Sequence, residues 1–102
     1  MVNTNNQLKI LIVDDDPTSG IILKGYLQPD NYCVHYVDNG EKALKLVKDI
    51  NPDLIILDIM MPGISGFEVC NVLKNDKDTR DIPVLFISAL SDADSHKRGI
   101  EF

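Results

Sequence analysis

Three stretches of this 102-residue chain, 8–13 (LKILIV), 53–57 (DLIIL) and 84–88 (VLFIS), set apolar residues side by side instead of alternating them with polar ones. A strand of that kind has both faces buried, as strands do inside a parallel sheet that carries helices on each side. The intervening segments carry matching helical signals. Asp16 stands where it can cap a helix with Pro17 in its first turn, and the spacing puts Ile22, Leu23, Tyr26 and Leu27 on one stripe before QPDN (28–31) ends it. DNG (38–40) opens a second helix with Ala43, Leu44, Val47 and Ile50 on its inner face, and Asn51-Pro52 closes it. Ser65 and Glu68 have capping-box spacing and predict a third helix over 66–74, and Ser91 with Asp94 marks a short fourth. The remaining strand, 32–37, is mixed in character and holds His35, so it belongs at a sheet edge. Strands alternating with helices predict an α/β fold, a doubly wound parallel sheet.

Composition narrows the function classes. Apolar content of 44% and charged content of 25% are those of a globular protein, and 102 residues fill one domain with a single core. A net charge of −6 sets aside nucleic acid and anionic membrane surfaces as main partners. Cys33 and Cys70 lack C-x-x-C spacing, lie in apolar-patterned segments and read as buried free thiols of a reducing compartment. Residues 1–7 have neither the basic nor the apolar region of a signal peptide and read as a loose leader to a domain over 8–102. No apolar run approaches the ~18 residues of a membrane span, so the expectation is a cytoplasmic protein.

In an open parallel sheet, ligands sit beyond the carboxyl ends of the strands where strand order reverses. The chain places its unusual polar residues there: Asp14 and Asp15 after the first strand, Asp58 after the third, Ser88 at the end of the fourth. Carboxylates gathered in one crevice repel one another and must hold protons or share a cation. An all-oxygen ligand set with few protein ligands favours Mg²⁺. DDDPTSG (14–20) is no EF-hand, because the sixth and twelfth loop positions are Ser19 and Gly25. No Walker or dinucleotide glycine motif occurs.

ILIVDDDP (10–17), DLIILDIMMPGISGFE (53–68) and IPVLFISAL (82–90), in that order, resemble the receiver domain of two-component response regulators, the CheY-like family. The resemblance implies a flavodoxin-like sheet of order 2-1-3-4-5 and a phosphorelay role. Asp58 matches the aspartate that accepts a phosphoryl group from a sensor histidine kinase or phosphotransfer protein. Asp14 and Asp15 match the acidic pair that holds Mg²⁺, with Asp15 direct and Asp14 acting through water, and the Met60 backbone carbonyl is a further ligand. Ser88 matches the hydroxyl that hydrogen-bonds the phosphoryl group, and small Ala89 leaves the site open. Pro62 and Gly66 match the turn after the acceptor. Such a domain is a signalling partner and not a turnover enzyme.

The family pattern continues into a fifth strand and helix, with a lysine that pairs with the acceptor, and these have no counterpart up to Phe102. Lys97 falls in the last predicted helix and is not given that role. Two expectations follow. One is an alternative to the phosphoacceptor reading, a pseudo-receiver that serves as a protein-interaction module and takes phosphate poorly. The other is self-association through the outer edge of the fourth strand. An aspartyl phosphohydrolase is disfavoured, since it typically needs an acid two residues past the nucleophile, where Met60 stands.

Overall fold

The centre of the molecule is made by the two strands whose sequences carry no polar face. In the computed structural model, which describes residues 7–27, 29 and 31–87, β1 (Lys9–Val13) and β3 (Leu54–Asp58) lie side by side. Leu11, Ile12, Val13 and Leu57 are 0% exposed. β2 (Cys33–Val37) pairs with the free side of β1 and β4 (Val84–Ile87) with that of β3, all parallel, in the order β2-β1-β3-β4. This is the doubly wound order, with the mixed strand at an edge as expected. β3 runs one residue past the predicted strand because Asp58 pairs with Ile87. β1 begins at Lys9, and Leu8 before it is exposed.

The alternation of each strand sorts its side chains between two cores. Leu11, Val13, Ile55 and Leu57 pack with Ala43 and Val47 of α2 (Gly40–Ile50) and with Val69 and Leu73 of α3 (Gly66–Lys74). Ile10, Ile12 and Ile56 face the other way, toward Leu23 and Leu27 of α1 (Pro17–Leu27). The helix ends are those read from the sequence. Asp16 Oδ1 accepts the Thr18 N–H, Asn51 closes α2 in a left-handed conformation (φ 52°), and Ser65 and Glu68 form the reciprocal capping box of α3. Both cysteines are free, as expected, but half-buried where burial was expected, because each lies on an outer element of the fold, Cys33 on edge strand β2 and Cys70 on α3.

One helix face differs from its prediction. Ile22 and Tyr26 are 53% and 74% exposed, while Gly20, Leu23 and Leu27 form the inner face of α1. Gly20 sets this rotation. A Cβ there would overlap the ring of Tyr36 on β2, so the helix lies close to the sheet only with its glycine inward. The connection 75–83 is tied back to the helices that flank it. Lys48 pairs with Asp76 (2.8 Å) and Asp78 (3.6 Å), and buried Thr79 donates its hydroxyl proton to the Leu73 carbonyl (2.7 Å). Among the described residues, no helix is long and apolar enough to cross a membrane. The predicted fourth helix, with Ser91 and Asp94, lies outside them.

Candidate functional site

The parallel register fixes where the acids stand. Val13 is paired with Leu57, so Asp14 and Asp58 follow side by side at the strand tips. Backbone bonds tie down both ends: Asp14 N–H donates to the Val37 carbonyl (3.2 Å) and Ile59 N–H to the Ile87 carbonyl (2.9 Å). Both acids are 3% exposed, while Asp15 faces solvent. One carboxylate oxygen from each of Asp14, Asp15 and Asp58 lies within 4.8 Å of the others.

Short backbone contacts orient the two buried carboxylates. Asp14 Oδ1 accepts the Asp16 N–H (2.9 Å) and Asp58 Oδ1 the more distant Met60 N–H (3.3 Å). The turn after Asp58 passes through Pro62 and Gly63 (φ 80°) and returns at Gly66, whose N–H donates to the Ile59 carbonyl (2.9 Å). A Cβ on Gly66 would overlap the Asp58 carbonyl, so this glycine lets α3 begin against the strand that carries the acid.

Burial makes these acids reluctant to ionise. Desolvation, reinforced by the charge of Asp14, pushes the Asp58 carboxyl up to about 7. Desolvation also raises Asp14, against the lowering effect of the Asp16 N–H. A group of crowded carboxylates with one exposed member fits a hard divalent ion that keeps several waters, and Mg²⁺ is such an ion. The cluster would hold it through Asp14, Asp15 and Asp58.

The structure thus brings together three of the predicted site residues, with Met60 following Asp58 in the same loop. Ser88 and Ala89 lie outside the described residues, as does Lys97. The sequence reading missed Tyr36, whose hydroxyl donates to the Asp14 carbonyl at 2.6 Å. Burial, then the Asp14 charge, raises its phenol above its ordinary value, so it remains a donor at neutral pH. Nothing in a tyrosine on a mixed strand marks it from sequence; only its meeting with Gly20 does.

A doubly wound parallel sheet with an acid pocket at its carboxyl edge defines a class, and comparison with known proteins places the chain within it. The family model of the response regulator receiver domain matches residues 10–102. The chain belongs to that family, whose members are signalling domains of two-component systems. It is 35% identical to the transcriptional regulatory protein ResD of Bacillus subtilis over 98% of its own length and 40% of that protein. It is 41% identical to the response regulator PleD of Caulobacter vibrioides over 91% of its length and 20% of PleD. Among solved structures, the response regulator TrrA of Thermotoga maritima in complex with Mg²⁺–BeF is 42% identical, with a TM-score of 0.75 over 83% of this chain and 72% of that one. The chain therefore spans less than half of the curated relatives it matches here.

Proposed function

We propose that this chain is a phosphoacceptor module that takes a phosphoryl group from the phosphohistidine of a sensor histidine kinase or phosphotransfer protein onto Asp58. The observation that carries the reading is the meeting of a buried Asp58, raised to about 7, with Asp14 and Asp15 at one set of strand tips. The likeness to TrrA, solved with Mg²⁺–BeF, supports it.

The residues divide the work. Asp58 supplies the oxygen that forms the new bond to phosphorus as the bond to the donor histidine nitrogen breaks. β3 and the Gly66 contact hold that oxygen at a fixed place, which favours an in-line approach. Asp14 and Asp15 would hold Mg²⁺ together with Asp58. When bound, Mg²⁺ neutralises the repulsion between a carboxylate and an incoming phosphoryl group. The Met60 carbonyl as a ligand, Ser88 as the phosphoryl hydrogen-bond donor and Ala89 as the small residue beside it complete the reading by family resemblance. The net charge of −6 favours protein partners over nucleic acid for these 102 residues. The reading places the module in the cytoplasm, where its phosphoryl donor is.

The test is treatment with acetyl phosphate and Mg²⁺ followed by intact mass measurement. One labile phosphate is expected on the parent chain and none on Asp58→Asn. Label that persists in Asp58→Asn overturns the acceptor. A parent that takes no label favours the pseudo-receiver.

A further inference from the structure

Asp15 is the exposed member of the acid cluster, and the peptide that leads into it lies past the end of β1. In a parallel ladder a residue that gives its N–H to one carbonyl receives at its own carbonyl from the N–H two residues further along the partner strand. Asp14 gives its N–H to the Val37 carbonyl (3.2 Å), so the Asn39 N–H would come next. β2 has ended by then, and Asn39 has turned away to cap α2, its side chain accepting the Lys42 N–H (2.8 Å). The Asp14 carbonyl receives the Tyr36 hydroxyl instead, at 2.6 Å.

We infer that Tyr36 is a positioning residue for the metal site, its hydroxyl standing in for the missing ladder bond and fixing the direction in which Asp15 presents its carboxylate. The peptide joining Asp14 to Asp15 is planar, so holding its carbonyl also sets the Asp15 N–H and the Asp15 Cα. Tyr36 reaches that carbonyl along the α1 face of the sheet, where it packs against the cluster of Ile10, Ile12 and Ile56. Its path crosses α1 at Gly20, where a Cβ would overlap the ring at Cε1 and Cδ1. Glycine at 20 and tyrosine at 36 are therefore one device: the first leaves the room through which the second reaches the loop. Tyr36 touches neither the phosphoryl group nor Asp58 in this scheme and acts through the Asp14–Asp15 peptide alone.

The inference rests on the reading of the acid cluster as a Mg²⁺ site, and calorimetric titration of the full chain with MgCl₂ separates the two. Tyr36→Phe keeps the ring and removes one oxygen. It should weaken Mg²⁺ binding about three- to tenfold, the worth of one net hydrogen bond. Gly20→Ala should weaken it to a similar degree by displacing the ring. The double variant should then be no weaker than Tyr36→Phe alone, because both act on one contact. Urea unfolding without Mg²⁺ checks that each variant is folded, and if Gly20→Ala is not, Tyr36→Phe decides by itself. A Tyr36→Phe affinity within twofold of the parent overturns the inference and leaves the metal site standing. So does weakening by Gly20→Ala alone, which would show that ring packing matters and the hydroxyl does not. A parent chain that binds no Mg²⁺ overturns both.

Discussion

Asp58 is held in a position that costs the protein stability. Its carboxyl titrates at about 7 in the folded chain against an ordinary 3.8, first because it is buried and second because Asp14 is beside it. A folded-state value above the unfolded one means that the folded chain binds the extra proton between those two values. Stability is thus greatest below about 4 as far as this group is concerned, and falls as pH rises toward about 7. Asp58→Asn removes the charge and keeps the shape. Without Mg²⁺ at pH 8 it should raise the melting temperature by about 4–8 °C, the shift that ~1 kcal/mol produces in a domain of this size, and by less at pH 5. A melting temperature at pH 8 equal to or below that of the parent would count against a charged Asp58 as the source of strain. Metal binding has the complementary dependence, since a cation must displace the proton that the raised Asp58 carboxyl holds. Mg²⁺ affinity should rise about tenfold per pH unit up to about 6 and flatten beyond about 7, which titration calorimetry at a series of pH values would read. These residues were legible in the sequence because acids at the ends of apolar strands have no structural reason to converge. Tyr36 was not, because its part depends on a contact with Gly20 that no spacing within the chain expresses.

At the level of elements, α2 and α1 show where periodicity suffices and where it fails. In α2 the apolar residues Ala43, Leu44, Val47 and Ile50 recur at helical spacing among charged ones, so only one rotation of the helix buries them, and they are the residues that meet the core. In α1 apolar residues stand at 21, 22, 23, 26 and 27, which leaves several rotations almost equally good. A tertiary contact decides among them, the fit of Gly20 against Tyr36, and it turns Ile22 and Tyr26 outward. α3 is set more locally. Ser65 accepts the Glu68 N–H and Glu68 accepts the Ser65 N–H, and the next residue, Gly66, lies against the Asp58 carbonyl. Ser65→Ala should cost about 1 kcal/mol of stability, the ordinary worth of an N-cap, measured by urea unfolding, with little change in phosphate labelling. Gly66→Ala should do more to the site than to the helix. Alanine favours helix, yet its Cβ must push α3 away from the strand that carries the acceptor. Labelling of Gly66→Ala by acetyl phosphate should fall well below that of Ser65→Ala, and equal labelling of the two would show that the close approach is not needed.

The sheet order β2-β1-β3-β4 follows from the same facts at the scale of the molecule. The strands with two apolar faces take the interior, the mixed strand takes an edge, and the strand order reverses beside β1, where the acids gather. Among the described residues, β4 is paired on one side only, with β3, and its sequence VLFI carries no charge that would discourage a second pairing. Val84, Leu85 and Ile87 are half-buried there, with Leu85 and Ile87 on the α1 face of the sheet. A second copy offers the matching surface, because two such edges meet across a two-fold axis with Leu85 and Ile87 of each chain brought together. The 102-residue chain should therefore form a dimer that dissociates on dilution, observable by light scattering behind a sizing column from tens of micromolar downward. Since the acid pocket lies at the strand tips and the edge runs along the strand, MgCl₂ titrations above and below the dissociation range should give the same affinity. A monomer at every concentration would show that the edge of β4 is protected, and an affinity that changes with dimerisation would place the contact at the strand tips instead.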